Sequence, residues 1–149
     1  MCFKPIFLDT EMITPSPGTI SKVAFSAILT PDLSLGQHQI VEYDKVITNV
    51  GNGYDSRHGH FTAPVKGVYL MACTIMNKIG GDVSLEMVKN GDRIARIYGE
   101  HDDFSMGTQV TIVVLEKGDM VWVRHSYTPT QILAGWEYNT FSGTILFEI

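Results

Sequence analysis

Short apolar segments separated by turn signals constrain the fold of this chain most strongly. In Val23–Leu29 one set of residues alternates with another at a period of two, which is typical of a half-buried strand; the sets are Val23, Phe25, Ala27 and Leu29, and Ala24, Ser26 and Ile28. No helical periodicity persists beyond a turn. Roughly eight to ten such segments, with turns about every eight to twelve residues, predict an all-β sandwich or barrel. The Cys–Trp–Cys spacing of immunoglobulin domains is absent, which favours a jelly roll.

Two turns between predicted strands are well marked. Asn90-Gly91 separates Val83–Lys89 from Arg93–Tyr98, and Asn-Gly adopts the positive φ angles of a type I′ hairpin at low cost. Residues 116–119 read Glu-Lys-Gly-Asp and join two further apolar segments. Between residues 32 and 42 the chain is polar and poorly periodic, so we expect an irregular connection there.

Two longer segments, Gly67–Met76 and Gln109–Leu115, are apolar on both faces. In an antiparallel sandwich one face of a strand meets the core and the other normally meets water. These strands therefore need a second cover. Another subunit is the simplest candidate, and a long internal loop is the alternative.

The composition fits one domain of 149 residues, which we divide into an N-terminal arm at 1–21 and a globular head at 22–149. The net charge is −5 and no basic run stands out, so we expect neither nucleic acid nor anionic membrane as a partner. Charged residues make up only 18%, against about 25% in an average soluble domain. Low charge with 44% hydrophobic content suggests that an oligomer hides apolar surface.

The sequence carries few signals that indicate where the protein is located. No apolar run reaches membrane-spanning length, and Lys4, Asp9 and Glu11 interrupt any signal-peptide core. The chain is therefore either made without a signal or is a mature form. Its two cysteines are Cys2, which could link chains, and Cys73, which lies in an apolar run and is expected to be a buried thiol. Two cysteines define no disulfide framework.

Motifs for catalysis fail, so we do not expect an enzyme. Gly51-Asn52-Gly53 is followed by Ser56 where a dinucleotide fingerprint needs a third glycine, and the segment is more typical of a turn. Ser142 does not lie in a nucleophile elbow.

Two clusters could hold a metal. His58 and His60 would share one face of a strand, but Gly59 between them disfavours a regular strand, and surface histidines are the simpler interpretation. Glu100, Asp102 and Asp103 supply the hard oxygen ligands that Ca²⁺ prefers, although the spacing matches no EF-hand. A solvated acidic loop is the alternative.

Aromatic residues before the last strand are candidates for ligand binding. Trp136 and Tyr138, with Tyr127 upstream, could form stacking platforms for the C–H faces of sugars. The alternative is that Trp136 and Tyr138 pack beneath the edge of the sandwich. Arg57, His58 and Asp55 on an earlier loop could form hydrogen bonds with hydroxyls or a carboxylate of the ligand, provided that the two loops meet in space.

From Lys22 to Ile149 the sequence resembles the globular head domain of complement C1q, a relative of the TNF fold. The positions that carry the resemblance are Val23 to Ala27, Asp44 to Val46, Asn49, Tyr54, Asp55, Gly59, Phe61, Pro64, Gly67 to Tyr69, Asn90, Gly91, Leu115, Gly118, Asp119, Val121 to Val123 and Phe141 to Gly143. Their order and spacing make the resemblance specific.

The resemblance implies a ten-stranded jelly roll that forms a homo- or heterotrimer, with aromatic residues of this set in the core. Some members bind calcium through acidic residues near the top of the trimer, roughly where Glu100, Asp102 and Asp103 fall. Two features of the sequence depart from the family pattern. No Gly-X-Y stalk precedes the head in this sequence, so collagen-linked assemblies are not expected, and His58 stands where the family usually has Thr.

Stalkless heads of this family are commonly secreted. The resemblance therefore implies a secreted, non-enzymatic, trimeric pattern-recognition lectin that binds carbohydrate or lipopolysaccharide in innate immunity. The alternative is a trimeric ligand or adaptor of a protein receptor, similar to TNF or cerebellin. In that case the contacts would lie along grooves between subunits.

Overall fold

A computed structural model describes residues 21–78, 81–101, 104–126 and 129–149. Regular structure in these ranges is entirely β, as predicted, and they contain no helix that could cross a bilayer. The predicted arm at 1–21 lies outside the described residues except for residue 21, so the boundary between arm and head stays a prediction.

The described residues form twelve strands. In chain order these are β1 (Ala24–Ile28), β2 (Leu33–Leu35), β3 (Lys45–Val50), β4 (Tyr54–Asp55), β5 (His60–Thr62), β6 (Gly67–Met76), β7 (Val83–Lys89), β8 (Asp92–Gly99), β9 (Met106–Leu115), β10 (Met120–His125), β11 (Gln131–Leu133) and β12 (Thr140–Glu148).

Ten of these strands form two five-stranded antiparallel sheets that pack face to face. Sheet I has the order β3-β1-β12-β6-β9, and sheet II has the order β4-β5-β10-β7-β8. The remaining strands, β2 and β11, pair with each other as a small sheet III. The predicted ten-stranded jelly-roll sandwich is therefore confirmed, with one extra pair of short strands.

Aromatic side chains from both sheets fill the core. The ring of Phe25 stacks on that of Phe61 with centroids 4.6 Å apart, and it meets Phe141 edge-on at 4.9 Å. Tyr54 and Tyr69 extend the cluster, at 5.3 Å from Phe25 and 5.8 Å from Phe61. Each such pair contributes about 0.5–1.5 kcal/mol beyond the burial of its area. The expected aromatic core is confirmed.

The outward face of sheet I is apolar, which confirms that the two long strands are apolar on both sides. Pairing of β6 with β9 sets Val68 opposite Val114 and Leu70 opposite Ile112 on this face. Ile112 is 62% exposed, so the described residues of one chain leave the face uncovered. The opposite faces of the same strands carry core residues such as Tyr69.

The structure differs from the prediction in three places. Residues 32–42 contain β2, and the long connection before the last strand contains β11; each is only three residues long, so neither shows a period. Strand β9 begins at Met106 rather than Gln109. Gly107 lies within this extension, and a Cβ at its position would lie 2.1 Å from the carbonyl oxygen of Tyr98. The glycine therefore permits close approach of β9 to β8.

Candidate functional site

The loop that carries Trp136 is fastened to the segment after β1. The amides of Trp136 and Glu137 donate to the carbonyl oxygens of Thr30 and Leu29, each at 3.2 Å. The amide of Gly135 donates to Asp32 at 2.7 Å. These bonds anchor the backbone of the loop, so its conformation is set by the sandwich.

This anchored loop presents aromatic rings to solvent. Trp136 is 80% exposed and Tyr138 is 48% exposed, so neither ring packs beneath the edge of the sandwich. Trp136 and Glu137 both adopt the left-handed backbone region, with φ of 66° and 69°. That region is uncommon for residues other than glycine, and such residues cluster at functional sites. The loop therefore holds a strained turn while displaying an unburied indole.

A salt bridge joins the same loop to sheet I. Nζ of Lys45, at the start of β3, lies 2.6 Å from Oε1 of Glu137, and both side chains are about half exposed. An exposed pair of this kind contributes at most about 1 kcal/mol. It ties the side chain of Glu137, the residue that follows Trp136, to β3.

Arg57 and His58 lie in the turn between β4 and β5, where Asp55 organises them. Nδ1 of His58 lies 2.8 Å from Oδ2 of Asp55, and the amide of Arg57 donates to Oδ1 at 2.9 Å. The His58 hydrogen bond, followed by the Arg57 amide, lowers the pKa of Asp55 to about 2. The side chain of Arg57 is 83% exposed, so the turn displays its guanidinium to solvent.

Glycine is required in this turn. Gly59 has φ of 75°, and a Cβ there would lie 2.5 Å from the carbonyl oxygen of Val41. Strand β5 begins only at His60, so His58 and His60 do not share one regular strand, as expected from the glycine between them. The rings of His58 and His60 lie 6.3 Å apart, and that of His60 packs on Trp122 at 4.9 Å. Burial, followed by the charge of His58, lowers the pKa of His60.

A groove of about 290 Å³ lies beside the segments that adjoin the two loops. It is lined by Leu29, Pro31, Leu33, Gln39, Ile40, Glu42, Asp44 and Ser56. Ser56 directly precedes Arg57, and the wall containing Leu29 and Pro31 carries the Trp136 loop. Among the described residues no hydrogen bond or ion pair joins the loops directly.

Sequence reasoning missed the groove residues. The available signal is the polar, aperiodic composition between residues 32 and 42, which by itself indicates only a connection. Glu42 and Gln39 in this segment bring polar side chains to the groove. Asp44, two residues after this segment, accepts hydrogen bonds from both the amide and the hydroxyl of Thr30.

Several predicted site residues fall outside the described ranges. These are Tyr127 of the aromatic set, Asp102 and Asp103 of the calcium set, and Cys2. Glu100 is described and exposed, and its backbone amide and carbonyl bond to Ser105 and Asn77. The described part of the chain contains no group of three or more His, Cys, Asp or Glu side chains that could hold a metal ion.

Cys73 faces the core from β6 and is a free thiol. Burial raises its pKa to about 12, so the nucleophilic thiolate is suppressed. This is the buried apolar role expected for it.

Two face-to-face antiparallel sheets, exposed loops and an uncovered apolar face define a jelly-roll head domain. A family model of the C1q domain matches residues 24–146. The chain belongs to the C1q domain family.

Curated relatives are similar over most of the chain. Caprin-2 from Danio rerio is 29% identical over 136 residues, which cover 89% of this chain and 15% of that protein. A complement C1q subcomponent polypeptide from Homo sapiens is 30% identical over 132 residues, covering 85% of this chain and 51% of that protein. The chain thus spans about half or less of the length of these relatives.

Solved structures share the fold. The globular domain of the zebrafish complement 1qA protein has a TM-score of 0.71 at 18% identity, covering 86% of this chain and 100% of that one. The Eiger TNF of S. frugiperda has a TM-score of 0.72 at 13% identity, covering 86% and 94%. At this level of identity the solved structures show the shared fold alone. Domains of the C1q family in general oligomerise and bind partners, and membership of that family supports a general ligand or recognition role for this chain.

Proposed function

We propose that this protein is a secreted, trimeric, non-enzymatic lectin of innate immunity that recognises carbohydrate, including lipopolysaccharide and other microbial surface glycans. The observation that carries the proposal is the ring of Trp136, 80% exposed on a turn with two consecutive left-handed residues. An indole held in this way costs conformational strain and leaves apolar surface in water. A ligand that stacks on the ring would offset both costs.

The surroundings of Trp136 suit a sugar. Its flat face can cover the C–H face of a pyranose, as can the half-exposed ring of Tyr138. The groove beside the loop offers Gln39, Glu42 and Ser56 for hydrogen bonds to hydroxyl groups. Across the groove the turn at Arg57 and His58 would reach a second sugar unit, and Tyr127 remains a proposed member of this set.

A trimer would bury the apolar face of sheet I. Val68, Leu70, Ile112 and Val114 form one continuous outward patch, and Phe147 of β12 lies opposite Val68 beside it. An exposed apolar patch of this kind marks an interaction surface. The occupant that suits a C1q-type head is a second and third copy of the chain. Three copies would also strengthen binding to clustered glycans, since single sugar sites are weak.

A glycan array tests the proposal with wild type and Trp136→Ala. We expect wild type to bind a defined set of glycans and the variant to lose that binding. Phe104→Ala is the matched control, because Phe104 is also a half-exposed aromatic residue at positive φ but lies in the β8–β9 connection. Absence of any bound glycan, or equal binding by wild type and Trp136→Ala, would rule out the Trp136 site.

The alternative is a trimeric ligand or adaptor of a protein receptor, of the TNF or cerebellin type. The observation that favours it is the exposed apolar surface at the edge strand β3, where Val46, Ile47 and Val50 are each at least 40% exposed. Neighbouring subunits would form grooves there. A pull-down from cell-surface extract that resists competing sugar, together with a negative glycan array, would favour this function over the lectin.

Calcium at Glu100, Asp102 and Asp103 remains a separate proposal. Carboxylate oxygens on a loop are suitable ligands for Ca²⁺. Sedimentation with and without a chelator tests it together with the trimer. A trimer that dissociates on chelation would support a calcium role in assembly, whereas an unchanged trimer that also binds no radioactive calcium would refute the site.

A further inference from the structure

The outward face of sheet II carries a row of charged side chains across three adjacent strands. Glu86 of β7 lies opposite Arg124 of β10 on one side and opposite Arg96 of β8 on the other. Directly opposed residues of an antiparallel pair point to the same face. The register therefore brings two guanidinium groups to one carboxylate.

A bulge adds a third guanidinium group to this face. Arg93 and Arg96 are three residues apart, and in a regular strand they would point to opposite faces. The β7–β8 register shifts between Met87 and Val88, which sets Arg93 opposite Val88 while Arg96 stays opposite Glu86. Both arginines consequently lie on the outward face.

The carboxylate of Glu86 is already satisfied within the protein. It is 5% exposed, and its Oε1 lies 2.7 Å from Nε of Arg124 while Oε2 lies 3.5 Å from Nη1 of Arg93. Arg124 also donates from Nη2 to the carbonyl oxygen of Gly91. Glu86 and Arg124 thus form the buried base of the cluster, and the longer contact leaves Arg93 able to bind a further acceptor.

A cleft of about 300 Å³ opens above this base. It is lined by Ser84, Leu85, Glu86, Arg93, Arg96, Ile97, Tyr98 and Ser126. Arg96 borders the cleft, and its guanidinium makes no hydrogen bond or ion pair with any described residue. Ser126 donates its hydroxyl to the carbonyl oxygen of Ser84, so its oxygen can still accept a hydrogen bond.

The local charge favours a monoanion. The lining of the cleft carries the guanidiniums of Arg93 and Arg96 and the carboxylate of Glu86. Two further charged groups contact lining residues: Arg124 is paired with Glu86, and Asp82 accepts from the hydroxyl of Tyr98 at 3.0 Å. Three positive and two negative groups leave a single positive charge. This is opposite in sign to the net charge of −5 of the whole chain.

We propose that this cleft binds the carboxylate of a small sugar acid. A guanidinium fork matches a planar carboxylate with two parallel hydrogen bonds, and Arg96 is the group available to make them. The serine hydroxyls would meet the ligand's hydroxyl groups, and the ring of Tyr98 would cover one face of it. The volume is that of a small ligand site. The cleft lies on the opposite sheet from the apolar face and would stay open in a trimer.

The proposal is tested by titrating the full chain with D-glucuronate and measuring binding by NMR or calorimetry. D-Glucose and inorganic sulfate are titrated in parallel as comparison ligands. We expect wild type to bind glucuronate, to bind glucose at least roughly tenfold more weakly, and to lose affinity as salt rises. Arg96→Gln should weaken glucuronate binding by roughly tenfold or more, because a charge-assisted fork is lost at a position that the fold does not need. Asp82→Asn should strengthen it by removing a negative charge.

Lys117→Gln is the matched control, since Lys117 is an exposed cation in the turn between β9 and β10, and it lines neither this cleft nor the groove beside the Trp136 loop. Its glucuronate affinity should equal that of wild type. Failure of wild type to bind glucuronate would overturn the proposal, as would an equal loss of affinity in Lys117→Gln and Arg96→Gln. Sulfate binding as tightly as glucuronate would overturn the sugar-acid assignment and leave only a general anion site.

Discussion

Nε2 of His125 lies 2.8 Å from Oε1 of Gln131, and this contact joins the end of sheet II to sheet III. Nδ1 of the same ring lies 2.8 Å from the carbonyl oxygen of Gly36, just after β2. Gln131 also accepts from the amide of Ser84 and donates to Asp82. A single buried imidazole therefore connects both strands of the small sheet to the main sandwich.

His125→Leu should destabilise the protein by about 2–4 kcal/mol, because it leaves the oxygen of Gly36 and part of Gln131 buried without a partner. The free energy of unfolding from urea denaturation measures this. His101→Ala is the control: His101 is exposed, so its change should stay within about 0.5 kcal/mol. Equal stability of the two variants would contradict the structural role of His125.

The Asp55–His58 hydrogen bond predicts an acid-sensitive turn. The pKa of Asp55 is lowered to about 2 from 3.8, so its ionised form is favoured in the folded state. Its contribution to stability is complete above pH 3.8 and is lost as the pH falls towards 2. Thermal unfolding between pH 5 and about 2 should show a smaller loss of stability for Asp55→Asn than for wild type. Asp92→Asn, at an exposed aspartate in β8, should follow the wild-type curve.

Two glycines at positive φ should respond differently to alanine. Gly91 has φ of 94° and open space around its Cα, so Gly91→Ala should cost about 1 kcal/mol for the backbone conformation alone. Gly59→Ala adds a clash at 2.5 Å with the oxygen of Val41 and should cost clearly more. Urea midpoints of the pair measure the difference. A smaller loss for Gly59→Ala would show that the turn can move away from residues 40–42.

Ile112→Lys should abolish self-association without unfolding the chain. The side chain is 62% exposed in one chain, so a lysine is tolerated there, but three copies would meet at an apolar face where its charge is desolvated. Sedimentation velocity should show a trimer for wild type and a monomer for the variant. Ile132→Lys in β11 provides the control at another exposed isoleucine and should leave the trimer intact.

Local patterns predicted much of the sandwich, because period and turn chemistry act over a few residues. Gly67–Met76 was predicted with the bounds of β6, and Asn90-Gly91 lies at the predicted hairpin. Strands β2 and β11 escaped prediction because each is short and finds its partner almost a hundred residues away in the chain. Such pairing depends on where the sandwich brings the two segments together.

The sequence by itself determined the fold class, the doubly apolar strands and the residue types offered for recognition. Only the tertiary structure decided how those residues are presented. Trp136 is exposed because backbone bonds to Thr30 and Leu29 hold its turn, and Arg93 shares a face with Arg96 because a bulge shifts the register. Both outcomes depend on contacts between distant segments, which a local pattern of side chains does not encode.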